Sequence, residues 1–349
     1  MTSRVVVVDD SPTARALLVA ILESDPELEV VGEAADGAAA VSLAQRLRPD
    51  VMTVDIHMPG LSGLDAIRRI MSESPLPIVV VSASIEREDV NSSMKALAAG
   101  ALTALPKPPG VDAPDFAERS RQLAATVKAM AEVKVVRRWR TAPPAPPVPH
   151  GLGSRPAVVA IAASTGGPAA LHRIFSELPP GIDVPVLVVQ HITPGFLSGL
   201  VEWWSSASSC PIKIAQAGEV LRPGTIYVAP DARHLGLSSR HTIQISSEPP
   251  IGGHRPSATF LFDAVARLYG AGALAVILTG MGRDGVDGLL KVHAAGGRVV
   301  AQDEESSVVF GMPGAAAQAG VVDLMLPLEG IGACLAKALS HATATGTAR

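Results

Sequence analysis

Ser164, His191 and Asp284 are the residue types that together perform nucleophilic acyl transfer, and each follows an apolar, β-branched run, at 158–163, 184–190 and 274–279. A serine hydroxyl is a weak nucleophile until a neighbouring base takes its proton, and a carboxylate orients that base and stabilises its charged form. Residues 158–163 break abruptly into Ser164-Thr-Gly-Gly-Pro168. That is a strand-turn-helix pattern, with glycines for the bend and a proline suited to the first helical turn. The free N–H groups of a helix start favour negative charge, so this serine reads as a phosphate clamp or as a nucleophile. The Thr165 N–H is the natural oxyanion donor, and the glycines of 280–282 let a second backbone donor approach closely. Each residue also has a structural alternative: Ser164 as a helix cap, His191 as a strand-end surface histidine, Asp284 as a turn residue or metal ligand. His172, His234, His241, His254 and His293 compete with His191 for the role of base.

A different chemistry gathers earlier in the chain. Asp9 and Asp10, Asp55, Ser82 and Lys107 each stand at or just beyond the end of a short β-branched run. Carboxylates at one sheet edge repel, each pair about 4 Å apart by roughly 4 kcal/mol at an effective dielectric near 20, so a cation must sit among them. An all-oxygen cluster with room for water suits Mg²⁺, and Lys107 adds a fixed positive charge. Asp55 is then placed to attack a phosphoryl donor, with Ser82 and Lys107 responding to the charge of the product. The structural alternative makes Asp9 and Asp10 helix caps and Asp55 a turn residue.

The elements that must position these groups alternate regularly. In the first part, strands are expected at 5–9, 30–34, 51–55, 78–82 and 101–105, and helices at 12–23, 37–48, 63–72 and 90–99. This predicts a doubly wound parallel sheet, which gathers ligands at the carboxyl ends of its strands. A charged helical pattern from 115 to about 138 carries the apolar stripe Phe116, Leu123, Val127 and Met130 and leads to Thr141-Ala-Pro-Pro-Ala-Pro-Pro-Val-Pro-His150. A segment so rich in proline behaves as a semi-rigid spacer. The expected organisation is a first α/β domain at 1–125, a helical and proline-rich linker at 126–154 and a second α/β domain at 155–349.

With 349 residues and 48% apolar content, the chain can build two cores. Net charge is −4 and no basic block marks a nucleic-acid surface, so a regulator acting on DNA is disfavoured. Cys210 and Cys334 lack metal-ligand spacing and read as reduced structural thiols. No signal peptide or membrane span is evident, which gives the cytoplasm as the expected location. The order Ser, His, Asp differs from that of the α/β-hydrolases, and Ser164 lacks a glycine two residues before it.

Residues 4 to about 125, with the acidic, serine and lysine positions quoted above, resemble response-regulator receiver domains of flavodoxin-like fold. Ala163–Pro168, Val-Gln-His-Ile at 189–192, Gly-His-Arg-Pro-Ser at 253–257, Leu-Thr-Gly-Met-Gly-Arg-Asp-Gly at 278–285, Ala-Gln-Asp-Glu at 301–304 and Gly-Met-Pro-Gly-Ala-Ala at 311–316 resemble the catalytic domain of the chemotaxis protein-glutamate methylesterases, the CheB family. The resemblance implies Mg²⁺ held by Asp9, Asp10, Asp55 and the His57 backbone carbonyl, phosphorylation at Asp55 and a switch through Ser82 and Lys107. It implies the triad Ser164, His191 and Asp284, with the Met281 N–H serving the oxyanion beside Thr165 and no cofactor for the esterase reaction. The implied substrates are methyl-esterified glutamates of methyl-accepting chemoreceptors, with hydrolysis of selected glutamines as a related activity. The implied phosphodonor is a chemotaxis-type histidine kinase. The expected state is a monomer, without nucleic acid or membrane insertion, whose unphosphorylated receiver covers the esterase cleft. His57 departs from the pattern, since that position is usually acidic in receivers joined to this domain. Altered phosphorylation or dephosphorylation kinetics are therefore expected. The alternative of another class is a phosphorylation-gated binding module whose triad is unused.

Overall fold

The computed structural model describes residues 2–82, 87–133 and 155–339, with the backbone alone at 87–91. The proline-rich stretch at 141–150 lies outside the described residues. The chain divides into two compact units, Met1–Ala142 and Pro143–Arg349.

The first unit alternates strictly: β1 (Ser3–Val8), α1 (Pro12–Glu23), β2 (Leu28–Ala34), α2 (Gly37–Leu47), β3 (Val51–Val54), α3 (Gly63–Glu73), β4 (Ile78–Ser82), α4 (Arg87–Ala99), β5 (Thr103–Pro106) and α5 (Phe116–Ala131). The strands pair in parallel in the order β2-β1-β3-β4-β5. Val5 to Val8, Val51, Met52, Val54 and Ile78 to Val81 are buried because helices cover both faces of such a sheet. Residues 126–131, assigned above to the linker, instead continue α5. Leu123, Ala124, Val127 and Met130 are buried, and α5 packs on α1, β1 and β3. That apolar stripe needs a partner, and the sheet supplies it.

The second unit comprises β6 (Val158–Ala163), α6 (Gly167–Glu177), β7 (Val186–Gln190), α7 (Leu197–Ala207), β8 (Ile212–Ile214), β9 (Ile226–Val228), β10 (His234–Ser239), β11 (Thr242–Ser246), α8 (Ala258–Tyr269), β12 (Ala273–Ile277), α9 (Val286–Ala294), β13 (Arg298–Gln302), α10 (Met312–Gln318), β14 (Leu324–Leu326) and α11 (Leu328–Leu339). Its seven-stranded parallel sheet runs β14-β13-β12-β6-β7-β9-β8. An antiparallel hairpin, β10 with β11, packs on α8 and is not evident in the sequence pattern. Both sheets are doubly wound, as the alternation of apolar runs and helical segments predicts. The order puts β6 between β7 and β12, so the ends carrying Ser164, His191 and the loop to Asp284 are immediate neighbours. Both cysteines are free and buried. Among the described residues no helix is long and apolar enough to cross a membrane.

Candidate active site

At the end of β6 the backbone of Ser164 is gripped from both sides. Its N–H donates to the Thr279 carbonyl at 3.0 Å, and the His191 N–H donates to the Ala163 carbonyl at 2.9 Å. The Gln190 side-chain nitrogen donates to the carbonyls of Ser164 and His191, both at 2.8 Å, fixing one relative to the other. Gly166 has φ of 79°, a conformation strained for other residues, and a Cβ there would lie 2.6 Å from that of Val308. The chain can therefore turn from strand into α6 beneath the 303–310 segment.

His191 and Asp284 are joined directly: His191 Nε2 lies 2.9 Å from Asp284 Oδ2, with the carboxylate side chain 2% exposed. Asp284 occupies the N-terminus of α8, where it also accepts from Ser257 Oγ (2.7 Å), Ala258 N–H (2.6 Å) and Thr259 N–H (3.2 Å). Burial alone pushes this carboxyl up. The hydrogen bond and charge of His191, the Ser257 hydroxyl and the Ala258 N–H outweigh burial and hold it well below the usual carboxylate range. With Nε2 engaged, Nδ1 is the nitrogen left to receive a proton, and it is buried without a partner among the described residues.

The Gly280 turn stands against the serine, and a Cβ at Gly280 would lie 2.7 Å from Ser164 Cβ. The Gly280 carbonyl accepts from the N–H groups of Gly311 (3.1 Å) and Met312 (2.8 Å). In a trans peptide the N–H opposes the carbonyl, so this clamp aims the Met281 N–H away from α10. Among the described residues neither the Thr165 nor the Met281 N–H donates a hydrogen bond. Behind the turn, buried Gln302 accepts from the Thr279 N–H at 2.9 Å, and Thr279 Oγ1 donates to the Thr165 carbonyl at 2.9 Å. Gln190, Ser257, Thr279, Gln302 and the Gly311-Met312 clamp carry no chemical role in the sequence reading. The signals available were a glutamine closing an otherwise apolar strand directly before His191 and the place of Ser257, Thr279, Gln302, Gly311 and Met312 within the family-like segments quoted above.

In the first unit Lys107 Nζ lies 2.7 Å from Asp9 Oδ2 and 2.8 Å from Asp55 Oδ2. Ser11, not Asp9 or Asp10, caps α1, and its N–H donates to Asp9 Oδ1 at 3.0 Å. Asp9 and Asp55 are buried and Asp10 is exposed, with carboxylate oxygens of all three within 4.8 Å of one another. The ion pair leaves Asp9 Oδ2 without a well-directed hydrogen bond, and Ser82 Oγ is buried without a partner among the described residues. Burial raises the Asp55 carboxyl, and Lys107 offsets only part of that effect. Burial likewise lowers the Lys107 ammonium, but its bonds to Asp55 and Asp9 carry it upward. Two buried carboxylates, one exposed carboxylate and one lysine leave uncompensated negative charge on oxygen ligands, which fits a hard divalent cation. His57 is exposed, and its N–H donates to Asp55 Oδ1 at 3.3 Å.

Residues 159–335 match the family model described as CheB methylesterase, and residues 5–114 match the response regulator receiver domain. The chain belongs to the CheB methylesterase family. A protein-glutamate methylesterase/protein-glutamine glutaminase of Myxococcus xanthus (strain DK1622) is 56% identical over 341 residues, covering 96% of each chain. One of Nitrosospira multiformis with the same printed activities is 46% identical over 338 residues, covering 95% of each. The crystal structure of the Thermotoga maritima CheB methylesterase catalytic domain is 39% identical, with a TM-score of 0.51, and covers 53% of this chain and 99% of its own. In this chain the receiver match precedes the methylesterase match.

Proposed function

We propose that the chain hydrolyses glutamate methyl esters of chemoreceptors, and the amides of selected receptor glutamines, by acyl transfer through Ser164, His191 and Asp284. The observation that carries the reading is the His191–Asp284 bond at the strand end beside Ser164. Ser164 Oγ attacks the ester carbonyl while its proton passes to His191 Nδ1. The tetrahedral oxyanion takes hydrogen bonds from the Thr165 and Met281 N–H groups. Collapse breaks the carbonyl–alkoxy bond, and methanol leaves with the proton from His191. Water then gives a proton to His191, attacks the acyl-serine and frees glutamate as Ser164 recovers its proton. With a glutamine the leaving group is ammonia.

The family assignment and the geometry of the first unit support phosphorylation of Asp55 as the control. Asp9, Asp10, Asp55 and the His57 carbonyl would hold Mg²⁺, which supplies charge neutralisation at the phosphoryl group. Lys107 then pairs with the phosphoryl oxygens and Ser82 supplies its unpartnered hydroxyl. A chemotaxis-type histidine kinase is the donor, and the protein acts in the cytoplasm as a monomer, its receiver, closed by α5, joined through the proline-rich connector to the esterase at 155–349. A coupling of about 1–3 kcal/mol between the two would change activity about 5- to 150-fold.

The test is methanol release from methyl-labelled receptor membranes, with and without a small phosphodonor and Mg²⁺, beside Ser164→Ala and Asp55→Asn. Release that needs Ser164, and rises with the donor only when Asp55 is present, is expected. No release from folded protein across several receptors would instead favour a phosphorylation-gated binding module.

A further inference from the structure

The segment from 247 to 257 carries no step of the reaction, yet it is built tightly against the base. The Arg255 guanidinium donates to the carbonyls of Ser247 (3.3 Å) and Glu248 (3.2 Å), closing the segment at its foot. At its tip Ile251 and His254 exchange backbone hydrogen bonds of 3.1 and 3.0 Å around Gly252 and Gly253, both at positive φ. Three residues on, the Ser257 N–H donates to Nδ1 of the buried His234 at 3.2 Å, and His234 Nε2 donates to the Pro249 carbonyl at 3.1 Å. The framework thus fixes His254 at both ends. Its ring lies on His191, with centroids 4.2 Å apart and planes within 5°.

We propose that His254 is a positioning residue that holds the His191 imidazole in its reactive plane by ring-on-ring stacking; this rests on the triad reading above. The bond to Asp284 fixes one atom of the His191 ring but leaves it free to tilt about that bond. A flat neighbour on the ring face removes that freedom. Proton transfer between Ser164 and His191 demands near-contact geometry, and misplacement by about 1 Å can cost on the order of 10²-fold in rate. The neighbour must also be uncharged when His191 becomes an imidazolium, because like charges in ring contact repel. Burial and the charge of His191 lower the His254 imidazole, with Asp284 opposing them more weakly, which favours its uncharged form.

The experiment measures methanol release by the full-length, phosphodonor-treated protein as His254→Ala, His254→Leu and His254→Phe, beside wild type and Ser164→Ala. His254→Ala and His254→Leu are expected to lower kcat by about 30- to 100-fold with KM changed by less than about threefold. His254→Phe, which keeps a planar ring without an ionisable nitrogen, recovers most of that loss. Wild-type kcat in folded His254→Ala or His254→Leu overturns the proposal, as does a His254→Phe enzyme as impaired as His254→Leu. Should the alanine variant not fold, the Leu and Phe pair decides alone. Undiminished release by Ser164→Ala would instead sink the triad reading on which the proposal stands.

Discussion

The two units both gather reactive groups beyond the carboxyl ends of parallel strands, yet they treat buried negative charge in opposite ways. In the second unit the carboxylate of Asp284 accepts from His191, Ser257, Ala258 and Thr259, and its proton affinity falls. In the first, Asp9 and Asp55 share Lys107, Ser82 Oγ lacks a hydrogen bond among the described residues, and the proton affinity of Asp55 rises. A buried polar atom without a partner costs about 1–3 kcal/mol, a cost carried by Ser82 Oγ in the first unit and by Gln190 Oε1 and His191 Nδ1 in the second among the described residues. The Asp284 carboxylate is held by four donors, whereas the two buried carboxylates of the first unit divide one lysine between them.

The sharpest separation of the two sites comes from Ser164→Ala. It is expected to remove turnover by on the order of 10⁶-fold while leaving Mg²⁺ affinity at the acidic cluster unchanged, as read by metal titration. A change in both would mean the sites are not independent. Asp284→Asn tests the saturated carboxylate. It should cut methanol release about 10⁴-fold, because an amide cannot replace a carboxylate that accepts from four donors, and it should lower the thermal midpoint because α8 loses its anionic cap. Unchanged stability would show that Asp284 serves chemistry alone.

Gly311→Ala probes the clamp on the Gly280 carbonyl. Its Cβ would lie 2.6 Å from that oxygen, so the peptide bearing the Met281 N–H must shift. A loss of about 10²- to 10³-fold in kcat, the usual cost of one oxyanion donor, is expected with KM nearly unchanged.

The smallest effect is the most direct measure of the contrast. Asp284 has a folded value below its unfolded value of about 3.9, so its stabilisation is complete above that pH and is lost as pH falls toward the folded value. Asp55 has a raised folded value, so metal-free native protein binds more protons than the unfolded chain above about pH 3.9, and stability declines as pH rises through that window. Hydrogen-exchange protection should therefore rise with pH below about 3.9 for β6 and β7 and fall with pH above about 3.9 for β1 and β3, with Mg²⁺ reducing the fall. Parallel slopes in the two units would refute the comparison.

Much of this was legible in the chain. The run 158–163 contains no polar residue, so it had to be a strand covered on both faces, and the glycines and proline after it fixed a bend with Ser164 at its corner. The same logic put Asp55 and Lys107 at strand ends, since local alternation of apolar runs and helical segments is a property of neighbouring residues. The helical stripe through Met130 was visible too, but its membership of the first unit depended on a sheet to pack against.

What the sequence determined by itself was the set of elements and the groups at their ends, because hydrophobic periodicity and turn chemistry act over a few residues. Tertiary structure alone decided which ends became neighbours. Asp284 reaches His191 across 93 residues, and the Gly280 turn meets Ser164 only because β12 pairs with β6. The saturation of Asp284 by Ser257, the Gly311-Met312 clamp and the His254 stack have no local pattern to read, since each arises where separate segments come together in the folded chain.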